Sequence, residues 1–456
     1  LTPAARVQAA IELLQAIADS GKAPADRVAA GYFKQRRYIG SKDRAAVQGV
    51  VYDVLRRRMQ LDWWLARAGV AEPGPRQRVL ACLALVTGWK TADIASAFSG
   101  TRHAPDPLAP TEQAALKRMA GRGLDHPGQP VEVRGNLPAW LEPAFAAAFG
   151  ARLPEELAAL LEPATVDLRV NALKSTRDEA LARLRSEGLD CEPTGLSPLG
   201  LRLSQRRPLG ETGAFRDGAV EVQDEGSQIV ALLVDARPGM RVVDFCAGAG
   251  GKALAMAARM HNKGHVVACD VSKLRLEASA KRLRRAGAHN VERRLLADET
   301  DPWIKRHKRA FDRVLVDAPC TGTGAWRRNP DGRWSLDAKD LEELKPKQAR
   351  ILAGAARLVK PGGRLIYATC SLLKEENEDQ VAAFLAGHPD FRPVPIDLVW
   401  AETAGAGGGA PCPCPPPYLM LTPARHGTDG FFAAVMERTS NRDGAGGRCR
   451  FPATGA

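Results

Sequence analysis

Three stretches of the chain carry residue types able to do chemistry. The first is Asp244-Phe-Cys-Ala-Gly-Ala-Gly-Gly-Lys252, the second runs from Asp317-Ala-Pro-Cys320 to Asp331, and the third is Tyr367-Ala-Thr-Cys-Ser371. Glycines in the first stretch let backbone close on a ligand, and a helix starting there offers free N–H groups. A phosphate-binding Walker loop is excluded, because it needs Gly at 246 and Ser or Thr at 253, where Cys246 and Ala253 stand. The G-x-G-x-x-G spacing of a dinucleotide site is also incomplete: Gly248 and Gly250 are followed by Ala253, although alanine is sometimes accepted there. Asp270 and Asp298 follow, each near the end of a further expected strand. One such acid alone reads better as a helix cap. Two at successive strand ends suit an adenosine lacking phosphates, since anions there repel a pyrophosphate. That points to S-adenosylmethionine as cofactor.

Cys320 and Cys370 arrive on the same face as this loop. A lone buried cysteine is usually packing. Two at adjacent sheet ends, beside an adenosine site, fit one particular reaction. Carbon 5 of cytosine is too weak a nucleophile to take a methyl group unaided. A thiolate adding at carbon 6 turns the ring into an enamine, and carbon 5 then attacks the methylsulfonium. A carboxylic acid near ring N3 stabilises that intermediate. The carbon 5 proton must then leave and the thiolate be expelled, and a second cysteine beside the base can assist.

The elements needed to position these residues are visible in the patterning. Apolar strands at 242–245, 265–268, 292–296, 313–316 and 364–367 alternate with helical stretches, as a parallel sheet covered on both faces requires. Every motif falls at a strand's carboxyl end, where ligands of such sheets bind. Residues 1–125 read as helical, with Val7, Ile11, Leu14 and Ile17, and then Val47, Val51, Val54 and Leu55, at helical spacing. Ser41 is expected to cap the second of these helices, with Arg56, Arg57 and Arg58 at its far end. Residues 104–130 look like linker or irregular packing. Residues 126–235 are assigned to a linker and a small α/β module, with strands at Leu168-Arg-Val-Asn171 and 199–203 around a helix at 177–187. The catalytic domain is expected over 236–438, and the Gly- and Arg-rich 439–456 is expected to be disordered. The fold class is thus α/β: a Rossmann-like domain preceded by a small α/β module and an all-α domain.

Composition narrows the partners. The chain has 456 residues, 45% of them hydrophobic and 26% charged, which is globular, and no stretch approaches the roughly 18 apolar residues of a membrane span. Residues 1–20 lack a basic start, a continuous apolar core and an A-x-A site, so no secretory signal is expected. The net charge is +13, and residues 1–150 hold 20 Lys+Arg against 13 Asp+Glu, an excess of +7. Excess basicity favours a polyanion such as RNA, with solvated helix faces as the plain alternative. Nine cysteines, an odd count without framework spacing, point to a reducing cytoplasm. Cys412 and Cys414 lack the further ligands of a zinc site, so no metal is expected.

Asp317-Ala-Pro-Cys320, Arg327-Arg-Asn-Pro-Asp331 and Thr369-Cys-Ser371 resemble the signature of the Sun/Fmu (RsmB-type) family of bacterial RNA cytosine-5 methyltransferases. Leu168-Arg-Val-Asn171, Val222-Gln-Asp-Glu-Gly-Ser-Gln228 and His426-Gly-Thr-Asp-Gly-Phe-Phe432 sit where that family has similar runs, so the resemblance covers about 160–438. It implies Cys370 as nucleophile, Cys320 as the release cysteine and Asp317 as the acid near the base and methyl donor. It implies cofactor contacts from Cys246, Ala247, Gly248, Ala249, Gly250, Gly251 and Lys252, with Asp270 on the ribose and Asp298 near the adenine. Ala249 departs from the proline frequent there, which frees one φ angle. Arg36-Arg-Tyr-Ile-Gly-Ser-Lys-Asp-Arg44 and Val51-Tyr-Asp-Val-Leu-Arg-Arg57 resemble a NusB-like RNA-binding domain. Together they imply a monomeric cytoplasmic enzyme acting on small-subunit (16S) ribosomal RNA. The rivals are a DNA or tRNA cytosine-5 methyltransferase, and a non-catalytic RNA-binding or assembly factor. The Asp429-Gly430 pair reads as a hairpin turn closing the sheet, and Lys281-Arg-Leu-Arg-Arg285 as a solvated face with RNA contact second.

Overall fold

The computed structural model describes residues 1–205 and 207–440. The chain divides into two compact units. One comprises Leu1–Ala164 and Thr321–Glu342, and the other Thr165–Cys320 together with the chain from Glu343 onward.

The second unit contains two sheets. In the smaller, β1 (Val166–Val170), β2 (Cys191–Pro193), β3 (Gly200–Leu203) and β4 (Val220–Val222) pair antiparallel in the order β2-β3-β1-β4. Strand alternation splits the Leu-Arg-Val-Asn run between two tasks. Leu168 and Val170 enter a core with Ala180, Leu184 and Leu201. On the other face Arg169 donates to the Gly251 carbonyl at 2.8 Å. Asn171 then bridges the Gly218 and Ala286 carbonyls at 2.9 and 2.8 Å. Gly218 has φ +73°, and a Cβ there would stand 2.1 Å from the Arg285 carbonyl oxygen, so only glycine fits.

The larger sheet has eight strands. β5 (Arg241–Asp244), β6 (His265–Asp270), β7 (Val291–Leu295), β8 (Phe311–Asp317) and β9 (Val359–Thr369) run parallel, in the spatial order β9-β8-β5-β6-β7. β10 (Phe391–Val394), β11 (Leu419–Leu421) and β12 (Phe431–Arg438) complete it, with β12 antiparallel to β9. Alternate residues feed the two faces: Val242, Val266 and Leu315 enter one core, and Val243, Val267 and Val314 the other. All five expected parallel strands are present. Strand order reverses between β5 and β8, which makes a topological switch point there. The Asp429-Gly430 pair is not a two-residue turn. It ends a connection from β11 to β12 that includes the short helix Pro423–His426, and Asp429 N–H donates to Asp224 at 3.1 Å. Of the expected disordered tail, 441–456 lies outside the described residues.

The first unit is helical. Helices Pro3–Asp19, Ser41–Arg56 and Pro75–Leu85 bury Leu13, Val47, Val51 and Leu80 together. Ser41 is the first helical residue rather than the cap; Gly40 holds that position and contributes no side-chain bond. The three arginines do not all lie at that helix's far end: Arg57 is its C-cap. The helix stops at Arg56, Arg58 opens the next one, and buried Arg56 donates to the Arg327 carbonyl at 3.1 Å. Residues 104–130 contain the helix Pro110–Met119, whose start is held where the Glu112 carboxylate accepts from Ala109 N–H at 3.0 Å. Helices Val131–Gly135, Glu142–Phe149 and Leu153–Leu161 continue past the expected boundary at 125 and belong to this same unit.

Thr321–Glu342 folds with these helices. Asp331 accepts from Ala25 N–H at 2.9 Å, and Trp334 donates to the Leu55 carbonyl at 2.7 Å. Arg333 is 1% exposed, and its guanidinium donates to the carbonyls of Gly135, Asn136 and Leu160 at 2.9, 3.0 and 2.7 Å. It also lies 4.6 Å from the Trp326 ring, which stacks on Phe145. Burial lowers its pKa to about 9, with Arg56 adding to the effect. Replacing Arg333 with Met leaves three carbonyls without a donor. The helical unit should lose roughly 3 kcal/mol or more, seen as an earlier first transition in urea. Arg333→Lys should not restore it, because one ammonium cannot span the same fork.

Candidate active site

The motif loop opens at the switch point. β5 ends at Asp244, and the helix Gly251–Arg259 begins with Gly250 at its cap and no side chain closing the end. Gly248 and Gly250 have φ of +53° and +81°, which an L side chain rarely adopts. Asp270, at the end of β6, is 6% exposed and holds two backbone groups. It accepts from Gly248 N–H at 2.8 Å and from Ser272 N–H at 2.7 Å. Asp270 therefore shapes the loop as well as facing it. Asp298 stands beyond β7, exposed, with Thr300 N–H and hydroxyl on one oxygen at 2.6 and 2.7 Å. Loop residues 246–249, Gly251 and Lys252, with Asp270, Asp298, Asp317, Cys320 and Cys370, line one cleft of about 640 Å³.

The two cysteines meet in that cleft. β8 and β9 are neighbours in register Asp317 to Ala368, so residues just past their ends converge. Cys320 Sγ and Cys370 Sγ lie 3.5 Å apart. Lys252 Nζ donates to Asp317 Oδ2 at 2.6 Å, both side chains being largely buried. Burial works against the Lys252 charge, but Asp317 and Asp244 outweigh it and raise its pKa. Asp244, 1% exposed, lines the same cleft. Burial, reinforced by the Asp317 charge, pushes its pKa up to about 7. Burial also holds the Cys246 thiol well above its ordinary pKa, so it is a poor rival nucleophile.

Several supporting residues carry no sequence signal of their own. Asn377 accepts from Thr369 Oγ1 at 2.5 Å and donates to the Ser371 carbonyl at 2.9 Å, which pins both neighbours of Cys370. Gln348 donates to the Pro319 carbonyl at 3.0 Å and to Glu376 at 2.9 Å, which steadies the turn before Cys320. Arg282 and Arg285 do not form a solvated face. Both bind Glu221, which is 2% exposed, and Arg282 also donates to the Ala249 carbonyl at 3.0 Å. The remaining motif cysteines make backbone contacts: Cys412 Sγ reaches the Cys414 carbonyl at 3.3 Å, and Cys414 Sγ the Met420 carbonyl at 3.0 Å.

The cleft suits a nucleoside-bearing sulfonium. An open helix N-terminus and two acids at successive strand ends border it. Val271, 63% exposed at its mouth, offers an uncovered apolar surface for a flat ring, beside Leu296 and Ile351. The arrangement can deliver a thiol, a second thiol and a proton-bearing Lys–Asp pair to one substrate atom group.

Residues 231–437 match the family described as 16S rRNA methyltransferase RsmB/F, and 137–210 match its ferredoxin-like domain. A ribosomal RNA small subunit methyltransferase B of Xanthomonas campestris pv. campestris is 32% identical over 405 residues, covering 88% of this chain and 90% of that protein. A Xylella fastidiosa protein of the same name is 34% identical over 401 residues, covering 87% and 92%. Among solved structures, PH0851 is 26% identical with a TM-score of 0.74, covering 96% of this chain and 99% of that one. A methyltransferase homologue from Pyrococcus horikoshii, also 26% identical, has a TM-score of 0.57 over 68% of this chain and 97% of its own. With its loop, paired cysteines and small sheet in place, the chain belongs to the ribosomal RNA small subunit methyltransferase B family.

Proposed function

We propose that this protein transfers a methyl group from S-adenosylmethionine to carbon 5 of a cytosine in small-subunit (16S) ribosomal RNA, through a covalent cysteine–cytosine intermediate. The observation that carries this reading is the 3.5 Å approach of Cys320 and Cys370 in the cleft that also holds the Lys252–Asp317 pair. The cofactor supplies an electrophilic methyl group. Cys246 to Lys252 and Asp270 hold it, Asp270 at the ribose and Asp298 near the adenine. Cys370 adds to carbon 6 of the ring. The proton that offsets charge at N3 comes from the Lys252–Asp317 pair, which lines the cleft. Cys320, beside the bound ring, takes part in loss of the carbon 5 proton and expulsion of Cys370.

The helical N-terminal region is assigned to RNA binding on its basic excess and its resemblance to NusB. Arg37 and Lys42 are exposed within the basic run that carries the resemblance. Each replaced by Glu should weaken RNA binding and lower the slope of log K against log salt by about one. An unchanged slope would assign this face to something other than phosphate.

The cysteine roles are separable. In Cys370→Ala, turnover and the protein–RNA adduct should both vanish. In Cys320→Ala, the adduct should form and persist, because release rather than attack is impaired. Denaturing gels with cytosine-containing ribosomal RNA and labelled cofactor read both species. The opposite pattern would make Cys320, which follows a proline, the nucleophile, as in DNA cytosine-5 enzymes. No adduct in either variant or in wild type would remove the covalent reading.

A further inference from the structure

The cofactor loop is held by side chains that do not belong to it. Ala249 stands between two left-handed glycines, and nothing in the local sequence restrains its φ. Its carbonyl accepts from Arg282 Nη1 at 3.0 Å, and two residues on, the Gly251 carbonyl accepts from Arg169 Nη1 at 2.8 Å. Arg282 lies in the helix Lys273–Ala286, and Arg169 in β1 of the small sheet. Both are tied to the segment around β4. Glu221 receives Arg282 on one oxygen at 3.3 Å and Arg285 on the other. Arg169 also donates to Gln223, whose amide donates to Ser227 at 3.1 Å. Arg169 is 4% exposed and Glu221 2%, so neither is spare surface charge.

A planar trans peptide links each carbonyl to the next N–H. Holding the Gly251 carbonyl therefore orients the backbone of Lys252, whose ammonium reaches Asp317. Holding the Ala249 carbonyl fixes the stretch between the two glycines, where the chain has most freedom. A charged guanidinium on a carbonyl, backed by a buried carboxylate, is a strong restraint.

We infer that Arg282 and Arg169 are positioning residues for S-adenosylmethionine, acting through the backbone of 249–251, and that the small four-stranded module is thereby part of the cofactor site. The inference rests on the proposed cofactor. Within this basic run Arg282 then serves the loop, and Arg285 braces Glu221 beside it.

The test uses the full chain with S-adenosylhomocysteine as probe in calorimetry. Arg282→Met should raise its Kd roughly tenfold, the size expected for losing a charge-assisted bond. Glu221→Gln should raise it less. The double variant should fall short of the product of the two, because both act on one grip. The loss should appear in KM for the cofactor more than in kcat, with RNA affinity within twofold of wild type. Arg282→Lys keeps a charge opposite Glu221 and guards against misfolding of the Met variant. In it, amide exchange over 246–252 should be faster than wild type without ligand and equal to it at saturating ligand. Unchanged S-adenosylhomocysteine affinity and exchange would overturn the inference. So would a several-fold loss of RNA affinity with cofactor binding intact, which would make this an RNA-contact face. Wild type failing to bind the probe would instead sink the cofactor assignment itself.

Discussion

The Lys252–Asp317 ion pair joins the two halves of the parallel sheet at the point where strand order reverses. Lys252 comes from the helix after β5 and Asp317 from the end of β8, the adjacent strand. Their 2.6 Å contact lies in the cleft that buried Asp244 and the paired cysteines also line. Removing either partner would leave the other without its ion-pair partner at the edge of the cleft. The loop, the two thiols and the cleft between them are arranged around this contact.

A second theme is arginine spent on backbone. Arg56, Arg169, Arg282 and Arg333 each donate to carbonyl oxygens, and all but Arg282 are nearly inaccessible. A guanidinium is suited to this because its fork reaches several acceptors in one plane. The consequence concerns the charge of +13. Part of it is consumed inside the protein, at helix ends and loops, so net charge overstates the cationic surface open to a polyanion. The basic run on the helix Lys273–Ala286 is the clearest case: two of its arginines close on one buried glutamate.

Periodicity and motif spacing carried the catalytic fold. Five alternating apolar runs imply a parallel sheet, because only a strand buried on both faces reads that way. Three motifs at strand ends then imply one cleft, since a parallel sheet gathers those ends on one side. That Cys320, Cys370, Asp317 and the glycine loop share one cleft was legible on that ground. Helical spacing likewise identified the helices at 3–19 and 41–56.

What the chain could not disclose by itself is whatever depends on distant partners. The role of Arg333 rests on carbonyls 173 to 198 residues away. Arg282 is bonded to a glutamate 61 residues earlier. The fold of Thr321–Glu342 with the N-terminal helices and the helices continuing past 125 are of the same kind. A polar side chain announces only that it wants a partner; hydrophobic period says where a face lies but not which carbonyl or carboxylate will stand opposite it. Local spacing therefore determined which residues meet in the cleft, and packing decided which residues hold them still.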